Sequence, residues 1–369
     1  MNSRQPLPLS GLRILEVANF LPGPFAGLLL ADLGAEVIKI EPPGGDPARH
    51  LIDGIFGAAN RNKRAVQWDL KSESARQDFL RLAVGADVII EGHRPGAMDR
   101  LNLGYSIMSQ ANPGVIYCSI SGYGQFGPKS ANAGHDINFL ADSGGLWFSP
   151  HVGERARRSG VPIADLAGSS FAAMSILAAL RKRDVTGEGC HLDVAIADAL
   201  FSFVSPRAGP DFEGSAHPDG IAFPVNDLFE TNDRRLIAIS AVEPKFWANL
   251  RAVMESFDPR IADARFDTHE ARRTHAVELK ALLDEIVATQ TSSHWMEVLG
   301  RADVPCSLVR SPLEAARDEH VVQRGIVQTS PQGRTFVAFP VLVNGVPMGA
   351  QVDDPPALSS LGADIAWTS

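Results

Sequence analysis

The chain has 369 residues, 45% of them apolar and 21% charged, with a formal net charge of −9. These proportions exclude wholesale disorder, and a chain of this length buries enough surface to need no disulfide or metal staple. The acidic balance argues against a nucleic-acid binder, since such domains present a basic surface, but leaves room for a local basic pocket. Cys118, Cys190 and Cys306 are scattered and odd in number, so neither a zinc site nor a disulfide framework is expected.

The opening MNSRQPLPLSGLRILEV has no charged-then-apolar signal pattern, and apolar runs such as Phe171 to Leu180 reach half a bilayer's span. A cytoplasmic protein without membrane contact is therefore expected. Arg13–Val17 reads as a strand, Pro24–Leu33 as a helix and Glu36–Glu41 as a second strand. Arg64–Leu70 is a third strand, Ser72–Leu82 a helix capped by Ser72, and Ala86–Glu91 and Val115–Ser121 two further strands. This β-α-β alternation predicts an α/β fold with a doubly wound, Rossmann-like parallel sheet and ligands at the carboxyl ends of its strands. Asp165 opens a long apolar helix with a basic last turn, which suits the helix dipole.

Residues 205–224 are rich in Pro, Gly and Asp and read as a linker. Beyond them, Arg235–Val242 alternates like a strand and helix-like segments cover Pro244–Met254, Arg272–Thr289 and Ser293–Leu299. The expected layout is a large domain over 1–204, a smaller α+β domain over 225–310, and a segment 311–369 that rejoins the large domain.

Several positions offer chemistry. No GxxxxGK[ST] loop is present, and Gly122-Tyr123-Gly124-Gln125-Phe126-Gly127 is a poor dinucleotide fingerprint because Pro128 and a polar loop follow it. Gly134-His135-Asp136-Ile137-Asn138-Phe139 reads either as a helix start capped by Asp136 or Asn138, or as the seat of a histidine base. Asp165 is either an N-cap or a half-buried acid at a helix start, where burial raises its pKa and the dipole lowers it. Glu243 precedes Pro244 as a first-turn residue or as a presented carboxylate. Several of Lys39, Arg61, Lys63, Arg64, Lys71, Arg94 and Arg100 stand at predicted strand ends or in the loops after them; scattered cations of this kind are usually solvated surface, but their placement in an acidic chain is what a phosphate-bearing ligand would need.

The segments GLRILEVANFLPGPFAGLLLADLGAEVIKIEPPGGDPAR, NRNKRAVQWDLKS, DVIIEGHRPGAMDRLNLGY and SGYGQFGP resemble the class III coenzyme A transferase (CaiB/BaiF) superfamily. That superfamily holds both CoA transferases and 2-methylacyl-CoA racemases. Three segments resemble the racemase branch: GHDINF with His135, the D-x-x-G stretch at Asp165, and Glu243-Pro244-Lys245-Phe246. The resemblance implies racemization through an enolate, with His135 held by Glu243 on one face of the α-carbon and Asp165 on the other. Main-chain N–H groups beside Asp165 would stabilise the enolate oxygen. The alternative is a class III CoA transferase with Asp165 as nucleophile.

It also implies that CoA, the handle of an acyl-CoA thioester substrate, lies along Lys39, Trp68, Asp69, Leu70, Lys71, Gly92, His93, Arg94, Arg100, Gly134, Asp136, Ile137, Asn138 and Phe139. No metal or other cofactor is implied. The implied assembly is an interlocked homodimer with the active site at the subunit interface. Two departures stand out: Pro42 where relatives often carry arginine, and Ser169 where a second glycine is usual.

Overall fold

The computed structural model describes residues 6–51, 54–148, 158–214, 223–357 and 365–368. Two compact units emerge, one from 1–143, 159–205 and 318–369, the other from 144–158 and 206–317.

The first unit begins with β1 (Arg13–Val17), α1 (Pro22–Asp32), β2 (Glu36–Glu41), α2 (Ala48–Leu51), α3 (Ile55–Asn60) and β3 (Arg64–Gln67). It continues through α4 (Glu73–Ala83), β4 (Val88–Glu91), α5 (Ala97–Arg100), α6 (Tyr105–Ala111), β5 (Ile116–Ser121) and α7 (Asp136–Asp142). Then come α8 (Ile163–Thr186), β6 (Cys190–Ala195) and α9 (Ile196–Phe212), of which the residues from Pro206 on count with the second unit. All six strands pair in parallel in the order β3-β2-β1-β4-β5-β6. The winding therefore reverses between β1 and β4, where open α/β sheets place their ligands.

Parallel strands covered on both faces read as continuous apolar runs. That explains the buried Ile14 and Leu15 of β1 and Val88, Ile89 and Ile90 of β4. The edge strand β6 alternates half-buried and exposed positions from Cys190 to Asp193, a pattern that an apolar run does not mark. α4 starts as expected, with the Ser72 hydroxyl accepting from the Ala75 N–H. α1 begins two residues earlier than expected, with Pro22 in its first turn, where a missing N–H costs nothing.

At 24 residues α8 is long and apolar enough to cross a bilayer, contrary to the expectation drawn from Phe171 to Leu180. Half of its most apolar window is buried inside the fold, as in the core helix of a globular unit. Its neighbours are α1, α7, β5 and β6. The linker expected over 205–224 is helical through Phe212 as the end of α9, while residues 215–222 lie outside the described residues.

The second unit holds β7 (Asn226–Glu230), β8 (Leu236–Ser240), α10 (Pro244–Glu255), α11 (His269–Thr274), α12 (Ala276–Val287), α13 (Ser292–Arg301), β9 (Cys306–Leu308) and α14 (Pro312–Ala316). Its three strands form an antiparallel sheet around a core that includes Phe229, Ile237, Leu250, Leu283 and Trp295. The single helix expected over Arg272–Thr289 is two, broken at His275, and Arg272 turns inward onto the Trp247 ring at 4.7 Å.

The chain re-enters the first unit at Asp318 rather than at 311. There it adds α15 (Glu319–Gln323), the hairpin of β10 (Val327–Thr329) with β11 (Thr335–Val337), and that of β12 (Leu342–Val343) with β13 (Val346–Pro347). Its last described residues are tied down. The Trp367 indole N–H donates to Leu82 O at 3.1 Å, and Thr368 O accepts from Arg13.

Candidate active site

Where the sheet reverses, a cavity of about 490 Å³ opens at the carboxyl ends of the strands. Asn19 and Phe20 reach it from the turn after β1, Pro22 and Gly23 from the first turn of α1, Gly92, His93, Arg94 and Pro95 from the turn after β4, and Ser121 and Gly122 from the end of β5. The loop before α7 adds Gly134 and His135, its first turn Asn138 and Phe139, and α8 adds Asp165. One cavity thus brings together the histidine and the aspartate that the sequence singled out.

Each is placed by local chain chemistry. His135 precedes α7 in extended backbone. Its N–H donates to the Asn138 side-chain oxygen at 3.0 Å, and its carbonyl accepts the Asn138 N–H at 2.8 Å. Asn138 therefore supplies the α7 cap, and the imidazole is left exposed, with the Phe20 ring edge-on at 6.4 Å.

Asp165 is not the N-cap of α8, which begins two residues earlier at Ile163. The cap is supplied from outside. The Asp136 carboxylate accepts from Ala164 N–H at 2.8 Å and Asp165 N–H at 3.4 Å. Those donors are consequently occupied, which corrects the expectation that they serve a developing enolate oxygen. It also corrects Asp136 as a CoA contact, because its side chain is buried beneath α8; Ile137 likewise does not line the cavity.

Asp165 is half-buried and has no ion pair among the described residues. Burial, with the Asp136 charge as a second cause, raises its carboxyl from 3.8 to about 7. Near neutral pH it is therefore divided between acid and carboxylate, a state suited to a proton carrier or a nucleophile.

A second cavity of about 490 Å³ lies beside β2 and β3, lined by Trp68, Asp69, Leu70, Lys71, His93 and Arg100 among others. Asn19 and His93 line both cavities. Lys71, Arg94 and Arg100 are exposed and carry no ion pair among the described residues. The other basic residues near strand ends are neutralised: Arg61 pairs with Asp32 and Arg64 with Glu36.

Lys39 is corrected outright. It is fully buried in neither cavity, its ammonium 3.0 Å from both Glu16 and Asp46 and 2.5 Å from Ala18 O. Strand register explains this, because Glu16 and Lys39 stand opposite each other on β1 and β2. The sequence reading missed the Asn19–Gly23 wall, although ANFLPGPF between a strand and a helix was its visible signal. Glu243 belongs to the second unit, exposed at the N-cap of α10. Gly124, in the left-handed region at φ +82°, lets the Gln125 N–H reach the Asp193 carboxylate. That loop closes onto β6 and is not followed by a helix as a dinucleotide site requires. Among the described residues, no three His, Cys, Asp or Glu side chains gather as a metal site needs.

A doubly wound sheet with a carboxyl and an imidazole at its switch point defines an α/β enzyme site. The sequence model of CoA-transferase family III matches residues 9–364, and the chain belongs to that family. It is 32% identical to acetyl-CoA:oxalate CoA-transferase of Acetobacter aceti over 96% of this chain and 94% of that one. It is likewise 32% identical to a probable fatty acyl-CoA transferase of Mycobacterium tuberculosis, over 79% of this chain and 80% of the other. Among solved structures, a CaiB/BaiF family protein from Brucella suis superposes with a TM-score of 0.86 at 28% identity, covering 97% of this chain and 98% of its own.

Proposed function

We propose that this chain transfers coenzyme A between carboxylic acids, with Asp165 as the nucleophile. The observation that carries the reading is Asp165 itself, a cavity carboxyl with no cation paired to it among the described residues, in a family whose relatives above are named transferases. The ionised carboxylate attacks the thioester carbonyl and expels CoA thiolate, leaving a mixed anhydride on Asp165. The thiolate then attacks the aspartyl carbonyl, releasing the donor acid and forming an aspartyl-CoA thioester. An acceptor carboxylate reverses both steps and departs as the new thioester. Lys71 and Arg100 at the adjoining cavity, and Arg94 at the cavity of Asp165, are exposed cations that bind the CoA phosphates.

A second reading, 2-methylacyl-CoA racemization, is favoured by one observation: His135 lines the same cavity as Asp165. Imidazole takes the α-proton while protonated Asp165 returns one on the other face, and the roles reverse for the other enantiomer.

One experiment separates them. An enantiopure 2-methylacyl-CoA is incubated in D₂O without acceptor acid, with and without hydroxylamine, against an Asp165→Ala control. Enzyme-dependent CoA release with a hydroxamate at Asp165 is the outcome expected for transfer. Deuterium at the α-carbon without CoA release overturns transfer in favour of racemization.

A further inference from the structure

Beneath the catalytic cavity lies a quartet of ionisable side chains, all buried, that the chemistry above does not use: Glu16 on β1, Lys39 on β2, Asp46 after β2 and Lys63 before β3. Glu16 takes Lys39 on one oxygen at 3.0 Å and Lys63 on the other at 2.7 Å. Asp46 lies 3.0 Å from Lys39, and Asn60 accepts from Lys63 at 3.0 Å. Two positive and two negative groups make the quartet neutral. Replacing charges with apolar packing serves stability as well or better, so a buried cluster of this kind is weak evidence of a purely stabilising role.

One further hydrogen bond caps the turn after β2, where Asp46 accepts the Ala48 N–H at 2.9 Å, and three others reach the segment from Ala18 to Pro24. The Lys39 ammonium donates to Ala18 O at 2.5 Å and the Lys63 ammonium to Pro24 O at 2.7 Å. The Asp46 carboxylate accepts the Phe20 N–H at 3.1 Å. From the other side, the Ser169 hydroxyl, one turn beyond Asp165 on α8, lies 2.8 Å from Pro22 O. Four backbone groups between 18 and 24 are thus gripped by buried side chains. Phe20 sits at φ +64°, a left-handed conformation that a non-glycine residue keeps only where its surroundings impose it. Gly27 of α1 leaves room for the grip, since a Cβ there would run into the Glu16 carboxylate.

We propose that Glu16, Lys39, Asp46, Lys63 and Ser169 are positioning residues that hold the Ala18–Pro24 wall against His135 and Asp165. Ser169 ties the acid-bearing helix to that wall. The proposal deepens the reading of Asp165 as the reacting group and rests on it.

The test uses the full chain and the wild-type reaction, read as CoA release or α-deuterium incorporation. Asp46→Asn keeps an acceptor for Phe20 but unbalances the quartet; Asp46→Asn/Lys39→Met restores neutrality but leaves Ala18 O ungripped. The expected result is a fall in kcat of about tenfold or more in both, with the KM for acyl-CoA changed far less. The double variant recovers the Tm lost by the single one without recovering kcat, and Ser169→Gly lowers kcat with little change in Tm. Folded variants with wild-type kcat, or a double variant in which kcat returns along with Tm, overturn the proposal. If the wild type turns over no acyl-CoA, the proposed function falls and the His135 ring resonances decide this point separately. Displacement of those resonances in Asp46→Asn and Ser169→Gly supports positioning, and unchanged resonances overturn it.

Discussion

Glu16 is fully buried and Asp165 only partly, yet the deeper carboxyl is the one held ionised. Burial pushes Glu16 upward, but the ammonium groups of Lys63 and Lys39 outweigh it and hold the carboxyl below its ordinary value. Asp165 meets burial with no counter-ion among the described residues and with the Asp136 charge nearby, and rises to about 7. The two sites lie in one unit. Their difference shows that the placing of cations, rather than depth, divides scaffold carboxylates from a reactive one. Lys63 bears part of that cost: burial, helped by the like charge of Lys39, brings it down to about 8 despite Glu16.

The largest effect expected is chemical. Asp165→Ala removes the uncompensated carboxyl, and turnover should fall on the order of 10²–10⁴-fold while the far-UV spectrum stays unchanged. Steady-state assay of acyl-CoA turnover checks this, and residual activity near wild type would show that Asp165 is a bystander. Next in size is Glu16→Gln, which strips the charge that two buried lysines face. Chemical denaturation should show a loss of about 3–5 kcal/mol, as for other buried pairs broken from one side. A loss below about 1 kcal/mol would mean that water already reaches the quartet.

The comparison can then be reversed, because removing the charge at Asp165 should stabilise the fold. Its folded pKa of about 7 lies above the ordinary 3.8, so the native state holds the proton more tightly than the unfolded chain. Stability is therefore lost as pH rises from about 4 to above 7. Asp165→Asn does not titrate and escapes that loss. The variant should gain up to about 4 kcal/mol over the wild type at pH 8, a ceiling set by 1.36 kcal/mol per pKa unit, and nothing from ionisation below pH 4. Paired denaturation curves at pH 4 and 8 measure it, and a gain of equal size at both would point to packing instead.

The apolar part of this contrast was legible in the sequence, and the polar part was not. Runs such as VIIE and EVIKIE mark buried parallel strands because they are apolar on both faces, and their β-α-β spacing predicts the switch point where the cavity lies. His135 and Asp165 stood out because each interrupts an apolar surrounding. Lys39 was misread because a lysine in EVIKIE looks like a strand-end cation. Only the strand register, which sequence does not carry, sets it opposite Glu16. β6 was missed because an edge strand keeps one polar face, and the role of Asp136 as a cap for α8 was invisible because its partner helix begins at Ile163, far along the chain. Contacts between distant segments are what periodicity cannot encode.

Asp136 is where the contrast can be adjusted in the smallest step. Asp136→Asn retains a side-chain oxygen for the Ala164 N–H, so the start of α8 and the position of Asp165 should hold. What disappears is the second cause of the raised Asp165 pKa, while burial, the larger cause, stays. The pH profile of acyl-CoA turnover should therefore keep its form, and the limb set by Asp165 should move toward acid by the smaller part of the present shift. If Asp165 acts as nucleophile, activity then survives to lower pH, because the carboxylate persists there. If Asp165 acts as proton donor, the same substitution costs activity at neutral pH, because less of the acid remains. Whether that limb rises or falls with pH therefore reports on the chemistry, its displacement toward acid reports on the electrostatics, and a limb that does not move would assign the whole shift to burial.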